Sequence, residues 1–208
     1  MAYADALQEM RDLARRRIAG EVPDTLLLLE HPPVFTTGRR TDPAHLLLAD
    51  RDIEAMGAEL HRVERGGSVT FHGPGQLVGY PIVRMRAGVR EYVRDLQEVV
   101  IHACADVGVA VTPDDEVGVW AGDRKVCAIG IRASRRVAWH GFALNCTTDL
   151  SWYGAIVPCG LEDRGVTRLS DLAGREVTVE EMTPIVARRF AEVFELELVA
   201  GDLQLAAG

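Results

Sequence analysis

Between residues 117 and 147 the chain carries three strand-like runs, "VGVWAG", "KVCAIGIR" and "VAWHGFALNCT", separated by a few polar turn residues. Connections that short join neighbouring strands as hairpins, so the pattern predicts an antiparallel meander. A meander must bury one face or both, and the rest of the chain supplies the cover. Tyr3, Leu7, Met10, Ala14 and Ile18 recur at three- and four-residue steps and predict an amphipathic helix over 2–19, closed by Gly20. "VREYVRDLQEVVIHACADVG" (89–108) is the longest predicted helix, with Tyr92, Leu96, Val99, Val100 and Ala103 on its apolar face. Thr178 and Glu181 form a capping-box pattern that opens a third helix, running to about Phe194.

Further strands are expected at "DTLLLLE" (24–30), a buried run stopped by Pro32-Pro33, at "ELHRVE" (59–64) and at "GQLVGYPIV" (75–83), with a short helix near "DRDIEAMG". The order of these elements predicts an α+β fold, an α/β sandwich whose mostly antiparallel sheet carries packed helices. With 208 residues, 48% of them hydrophobic, and no internal repeat, low-complexity tract or linker, one domain spanning 1–208 is expected.

Net charge is −8, with a pI of about 5.3, which argues against nucleic acid as the main partner. Local basic clusters nevertheless occur at Arg15-Arg16-Arg17, at Arg39-Arg40 and at Arg132 with Arg135-Arg136. The cysteines at 104, 127, 146 and 159 have neither C-x-x-C nor metal-ligand spacing, so no disulfide framework and no metal site is expected, in keeping with a reducing cytoplasm. No apolar run approaches ~20 residues, and "MAYADALQEMRDLARRR" lacks a signal-peptide core, so neither membrane insertion nor export is expected.

Three stretches could carry chemistry. Lys125 is the sole lysine beside 22 arginines. Arginine supplies charge but cannot exchange a proton near neutrality, whereas lysine in a tuned environment can. "ERGGSVTFHGPGQLVGYP" (64–81) interleaves glycines with Arg65, Ser68, Thr70 and His72, and reads either as a backbone-lined ligand slot or as a pair of tight turns. It is not a phosphate-binding G-x-x-x-x-G-K-[ST] loop. In "IVPCGLEDRGVT", Cys159 lies between Pro158 and Gly160, outside any helical or strand period, which suits a reactive thiol better than the element-borne Cys104, Cys127 and Cys146. His72 and His140 could each serve it as a base or simply be hydrogen-bonded structural histidines.

"RGGSVTFHGPGQLVGYP", "KVCAIGIR", "WHGFALN" and "PCG", in this order and with "HPPVFTTGRR" ahead of them, resemble the motifs of the lipoyl(octanoyl) transferases, over about His31 to Ser170. Arg168 in "VTRLS" departs from the family pattern, outside the proposed chemistry.

The resemblance implies the fold of the biotin and lipoate protein ligases. It implies transfer of an octanoyl group from acyl carrier protein to a lysine of lipoyl domains, those of 2-oxoacid dehydrogenase complexes and the glycine cleavage H protein. It further implies a cytoplasmic monomer without metal, nucleotide or other cofactor. On the family pattern Cys159 forms the acyl thioester and Lys125 lowers its pKa. The substrate slot is Arg65, Gly66, Gly67, Ser68, Val69, Thr70, Phe71 and His72, with Ala128, Ile129, Gly130, Gly141, Phe142 and Ala143. An ATP-dependent lipoate or biotin protein ligase is the alternative on the same fold; it would need no nucleophilic cysteine.

Overall fold

The computed structural model describes residues 1–157 and 164–199. Its larger sheet is built from β1 (Thr25–Leu29), β5 (Gln76–Arg84), β8 (Val137–Asn145), β7 (Arg124–Ser134) and β6 (Val119–Ala121), side by side in that order, with β9 (Gly165–Val166) added parallel to β7. All other pairs in this sheet are antiparallel, and β6, β7 and β8 form the expected meander. β5 lies inside the sheet with both faces covered, so all of it except Arg84 is buried and its sequence is almost continuously apolar. β1 is an edge strand, buried only at Leu28 and Leu29, where the sequence suggested a fully buried run.

Helices cover the two faces unequally. α3 (Val89–Asp106) and α5 (Val179–Phe194), the latter preceded by the short α4 (Leu169–Ala173), share one apolar core with one face of the sheet. α1 (Tyr3–Ala19) lies on the opposite face, where Ala6, Met10, Leu13 and Ala14 join Val78, Tyr80 and Ile82 of β5. Gly20, at φ 81, ends α1 in the left-handed conformation that glycine adopts most easily. At α5 the cap is half of the expected box. The Glu181 amide donates to Thr178 Oγ1 at 3.2 Å, but the Glu181 carboxylate pairs with Arg175 instead of returning to the cap.

A second, three-stranded sheet was not expected from the sequence. β2 (Val34–Thr37) lies between β3 (Glu59–Arg62), to which it is parallel, and β4 (Val69–His72), to which it is antiparallel. Pro32-Pro33 does end β1's run, but the chain changes sheets there rather than leaving extended structure. The glycine-rich stretch is likewise not all loop, because Val69–His72 is a fully buried strand within it. Phe35, Phe71 and Ile53 of α2 (Asp50–Ala55) form the core of this part with Tyr153, from a 3-10 turn at 150–155.

The β7–β8 hairpin turns on Arg135 and Arg136, both at positive φ (49 and 66), positions more often filled by Asn-Gly. Arg136 donates to Met85 O at 3.1 Å and Arg86 O at 2.7 Å, so it braces the turn and is not available to a partner as Arg135 is.

Candidate active site

Strand alternation builds a slot between the two sheets. On β7 and β8, Ala128 pairs with Ala143 and Gly130 with Gly141, so the floor toward α1 is made of the smallest side chains. Arg65, Gly67, Ser68, Val69, Thr70 and His72 line the same cavity from the second sheet and the loop leading into it. Glycine is required at 130 because a Cβ there would stand 2.9 Å from Gly66 O and 3.2 Å from Arg65 Cδ. Ile129 and Phe142 border the cavity along their strands, while their side chains belong to the α3–α5 core. Two expected slot residues stand outside the lining. Gly66 donates its amide to Ile131 O at 2.8 Å, and Phe71 turns away to stack on Trp152, with ring centroids 5.2 Å apart.

The slot's charged and titratable groups are held by burial and fixed bonds. Arg65, 7% exposed, donates from Nε and Nη2 to Thr36 Oγ1 and from Nη2 to Thr36 O at 2.6 Å, which locks its guanidinium beneath the cavity wall. His72 Nδ1 meets Gln76 Oε1 at 2.8 Å; Gln76 Nε2 donates to Asn145 Oδ1 at 2.9 Å, and Asn145 Nδ2 to Thr167 O at 3.0 Å. Desolvation, reinforced by the neighbouring His31, holds the His72 pKa well below 6.5. The Gln76 bond fixes the orientation of the His72 ring.

His140 sits in mid-strand at φ 57. Alternation along β8 would send it toward the α3–α5 core with Phe142 and Ala138. The left-handed backbone instead turns it to the slot, where its ring meets Tyr80 edge-on at 6.4 Å. Burial, then the charges of Arg65, Arg11 and Arg132, lower its pKa to about 3, so it is neutral and a weak base near neutrality. Sequence reasoning missed Tyr3 and Tyr80, both cavity-lining and nearly fully buried. Tyr80's place in the alternation of β5 could have signalled it; nothing local marks Tyr3.

Lys125 lies on β7 three residues before Ala128, about 10 Å along the strand, and is 4% exposed. Nζ donates to Val117 O at 3.2 Å and stands 4.6 Å from the centre of the Trp120 ring, so an otherwise costly buried ammonium has a carbonyl and a π face. Its strand neighbours are Trp120 of β6 and Val166 of β9, at the outer edge of the sheet.

Cys159 lies outside the described residues, but the chain on both sides of 158–163 is tied down. Val157 donates to His45 O, and His45 Nδ1 meets Ser68 Oγ of the slot at 2.9 Å. Beyond it, Arg164 pairs in two bonds with Asp114, and Thr167 donates its amide to Lys125 O. Arg168, the departure from the motif, holds the Thr147 and Thr148 carbonyls. The other three cysteines are buried free thiols, and burial raises the pKa of Cys104 and of Cys146 to about 12 and drives Cys127 up as well. No cluster of metal-ligating side chains occurs among the described residues.

The lipoyl protein ligase A/B catalytic domain model matches residues 2–191. An octanoyltransferase of Rubrobacter xylanophilus is 47% identical over 195 residues, covering 92% of this chain and 88% of that one. A mitochondrial octanoyl-acyl-carrier-protein:protein N-octanoyltransferase of Danio rerio is 41% identical over 203 residues, covering 95% and 90%. Among solved structures, a lipoate-protein ligase A bound with ATP superposes with a TM-score of 0.75 at 17% identity, covering 91% of this chain and 82% of that one. A bipartite lipoate protein ligase of Thermoplasma acidophilum gives 0.71 at 16%, covering 91% and 80%. At those identities the structural likeness is one of fold, and it agrees with the α+β expectation. The sequence matches go further: over nearly its whole described length, this chain belongs to the lipoyl protein ligase A/B catalytic domain family.

Proposed function

We propose that this protein transfers an octanoyl group from acyl carrier protein to a lysine of lipoyl domains through a thioester on Cys159. The observation that carries the reading is the slot: a small-residue floor on β7 and β8 that begins three residues from the sole, buried lysine. The alternative, an ATP-dependent ligase, is supported by fold alone, at 17% identity, whereas the octanoyltransferases stand at 41–48%. The same reading takes the chain as one catalytic domain over 1–208, acting as a cytoplasmic monomer on the lipoyl domains of 2-oxoacid dehydrogenase complexes and the glycine cleavage H protein. No helix among the described residues is long and apolar enough to cross a membrane.

In the first half-reaction the Cys159 thiolate attacks the octanoyl thioester carbonyl. The carbon–sulfur bond to the carrier breaks, and the departing thiolate takes a proton from the Lys125 ammonium. In the second, the acceptor lysine gives one proton to the neutral Lys125 amine and attacks the Cys159 thioester. Its second proton leaves to water as the amide forms, and the Cys159 thiolate is restored beside a charged Lys125. Arginine could stand beside the thiolate but could not complete this cycle.

Intact-mass measurement after mixing with octanoyl-acyl carrier protein tests the assignment. One octanoyl group should add to the wild type, vanish when a lipoyl domain is supplied, and be missing in Cys159→Ser. Lys125→Arg should still be acylated but transfer at least ~10²-fold more slowly. Turnover that needs ATP, or an adduct that survives Cys159→Ser, would overturn the reading.

A further inference from the structure

Strict alternation along β7 would aim Lys125 the wrong way. Cys127 and Ile129 point into the α3–α5 core, and a residue two before Cys127 would follow them. One extra residue prevents this. Val119 of β6 pairs with Cys127 and Trp120 with Lys125, so one step on β6 answers two on β7, and Val126 is the surplus residue of a β-bulge. Val126 and Cys127 both enter the core, and Lys125 falls on the other side of the strand, the side of Ala128 and Gly130 in the slot floor. Its cross-strand partner Trp120 shares that side, since the preceding Val119 belongs to the core and Trp120 does not.

Trp120 is fixed at both its backbone and its ring. Its amide donates to Thr112 O at 2.9 Å, the Thr112 amide donates to Trp120 O at 2.8 Å, and the indole Nε1 donates to Glu116 O at 3.0 Å. The Arg164 guanidinium stacks on the ring, with Cζ 3.7 Å from its centre. Asp114 neutralises Arg164 through two bonds of 2.9 and 2.8 Å, so the stack steadies the indole without adding a net charge beside the ammonium. Lys125 Nζ stands 4.6 Å from the centre of this braced ring. The lysine stem crosses Gly118, where a Cβ would lie 3.0 Å from Lys125 Cε, and Gln97 Nε2 of α3 holds the Gly118 carbonyl at 2.9 Å. The ring quadrupole attracts a cation most strongly where water is excluded, and Trp120 is 1% exposed.

Resting on the transferase reading above, we propose that Trp120 is the positioning residue for Lys125: the bulge at Val126 turns the lysine to the slot side of β7, and the indole face holds its ammonium there. A long, flexible side chain is thereby confined to one placement before substrate arrives.

The sole lysine makes its own probe, because protein grown on [13C,15N]-lysine carries a single labelled side chain. In the wild type the Lys125 Hε resonance should lie upfield of free lysine, displaced by the indole ring current. Trp120→Leu keeps an apolar side chain but no aromatic face; its lysine signal should move to the free-lysine position, and octanoyl transfer should fall at least ~10-fold, since a misplacement of about 1 Å can cost ~10²-fold. Trp120→Phe keeps a face and should retain an upfield signal, with transfer within about threefold of wild type. Phe190→Leu, a truncation on α5 on the other side of the sheet, should leave the lysine signal in place and transfer within about twofold, which separates positioning from general loosening. A wild-type signal at the free-lysine position overturns the proposal whether or not the Leu variant folds. So does a Trp120→Leu variant that transfers at the wild-type rate, or a Phe variant that loses both signal and transfer. A wild type that transfers no octanoyl group overturns the transferase reading, while the lysine signal still decides whether Trp120 holds the amine.

Discussion

The two faces of β7 and β8 are built by alternate residues of the same strands, and they are opposites. Toward α3 and α5 the strands present Cys127, Ile129, Phe142 and Leu144, in a core whose titratable groups, the buried thiols and the Tyr92 phenol, are kept protonated by burial. Toward α1 they present Ala128, Gly130, Gly141 and Ala143 under a roof that holds Arg65 and the neutral His72, with the neutral His140 turned in from β8 itself. One face therefore gains its stability from volume, while the other gives up volume to make a cavity. Phe142 and Gly79 show the division at one point: a Cβ on Gly79 would lie 2.2 Å from the Phe142 ring, so glycine on β5 is what lets the core face hold so large a side chain.

Emptying the core face should give the largest effect. Phe142→Ala is expected to cost ~3–5 kcal/mol in urea unfolding, the usual range for a buried aromatic truncated to alanine. A loss below 1 kcal/mol would mean that this face is not where stability resides.

Acid should act on the opposite face. His31, lowered to about 4 by desolvation, and His140, lowered to about 3, bind protons in the unfolded chain near 6.5 but not in the folded one. Unfolding thus takes up protons below about 6.5, and stability falls as pH drops through that window, levelling for His31 only below about 4. From His31 alone the loss between pH 6.5 and 5 is about 2 kcal/mol. Asp106, held near 2 by Arg189 and Arg188, acts only at lower pH. A urea midpoint that is flat between pH 7 and 5 would remove this contribution.

Filling the slot face should separate function from stability. Ala128→Leu, at a half-buried floor position, is expected to lower octanoyl transfer at least ~10-fold while the unfolding free energy stays within about 1 kcal/mol. An equal loss of stability would show that the floor is ordinary core.

The smallest effect concerns the arginines bordering each face. On α5, Arg188 and Arg189 are committed to Asp106 and Glu192. Near the slot, Arg11 and Arg135 line a groove with Arg15 and Arg132 and have no carboxylate within ion-pair distance among the described residues. Acidic carrier and acceptor proteins would be steered to the second set. Arg11→Ser with Arg135→Ser should lower kcat/KM a few-fold at low salt and not at ~0.5 M, where the Debye length shrinks to a few Å; Arg188→Ser should do neither. Equal effects from Arg188→Ser and from the Arg11, Arg135 double variant would erase the distinction.

The meander, the three long helices and the left-handed end of α1 were legible because each rests on a short-range period or cap: alternation at 124–145, three- and four-residue steps at 3–19 and 89–106, Thr178 before α5. The motif resemblance likewise placed most of the slot, since its residues fall in continuous runs. β2 escaped because four residues behind two prolines carry no period of their own; they are a strand only through β3 and β4. His140 escaped because alternation points it the wrong way, and a positive φ in mid-strand is set by its surroundings. Tyr3, Arg65 and Tyr80 meet only through α1, the second sheet and β5. Local order was thus written in the chain, because dihedral preference and burial period act over a few residues. The cavity and the charge states around it were decided by tertiary structure, because desolvation and steric limits arise between segments that only folding brings together.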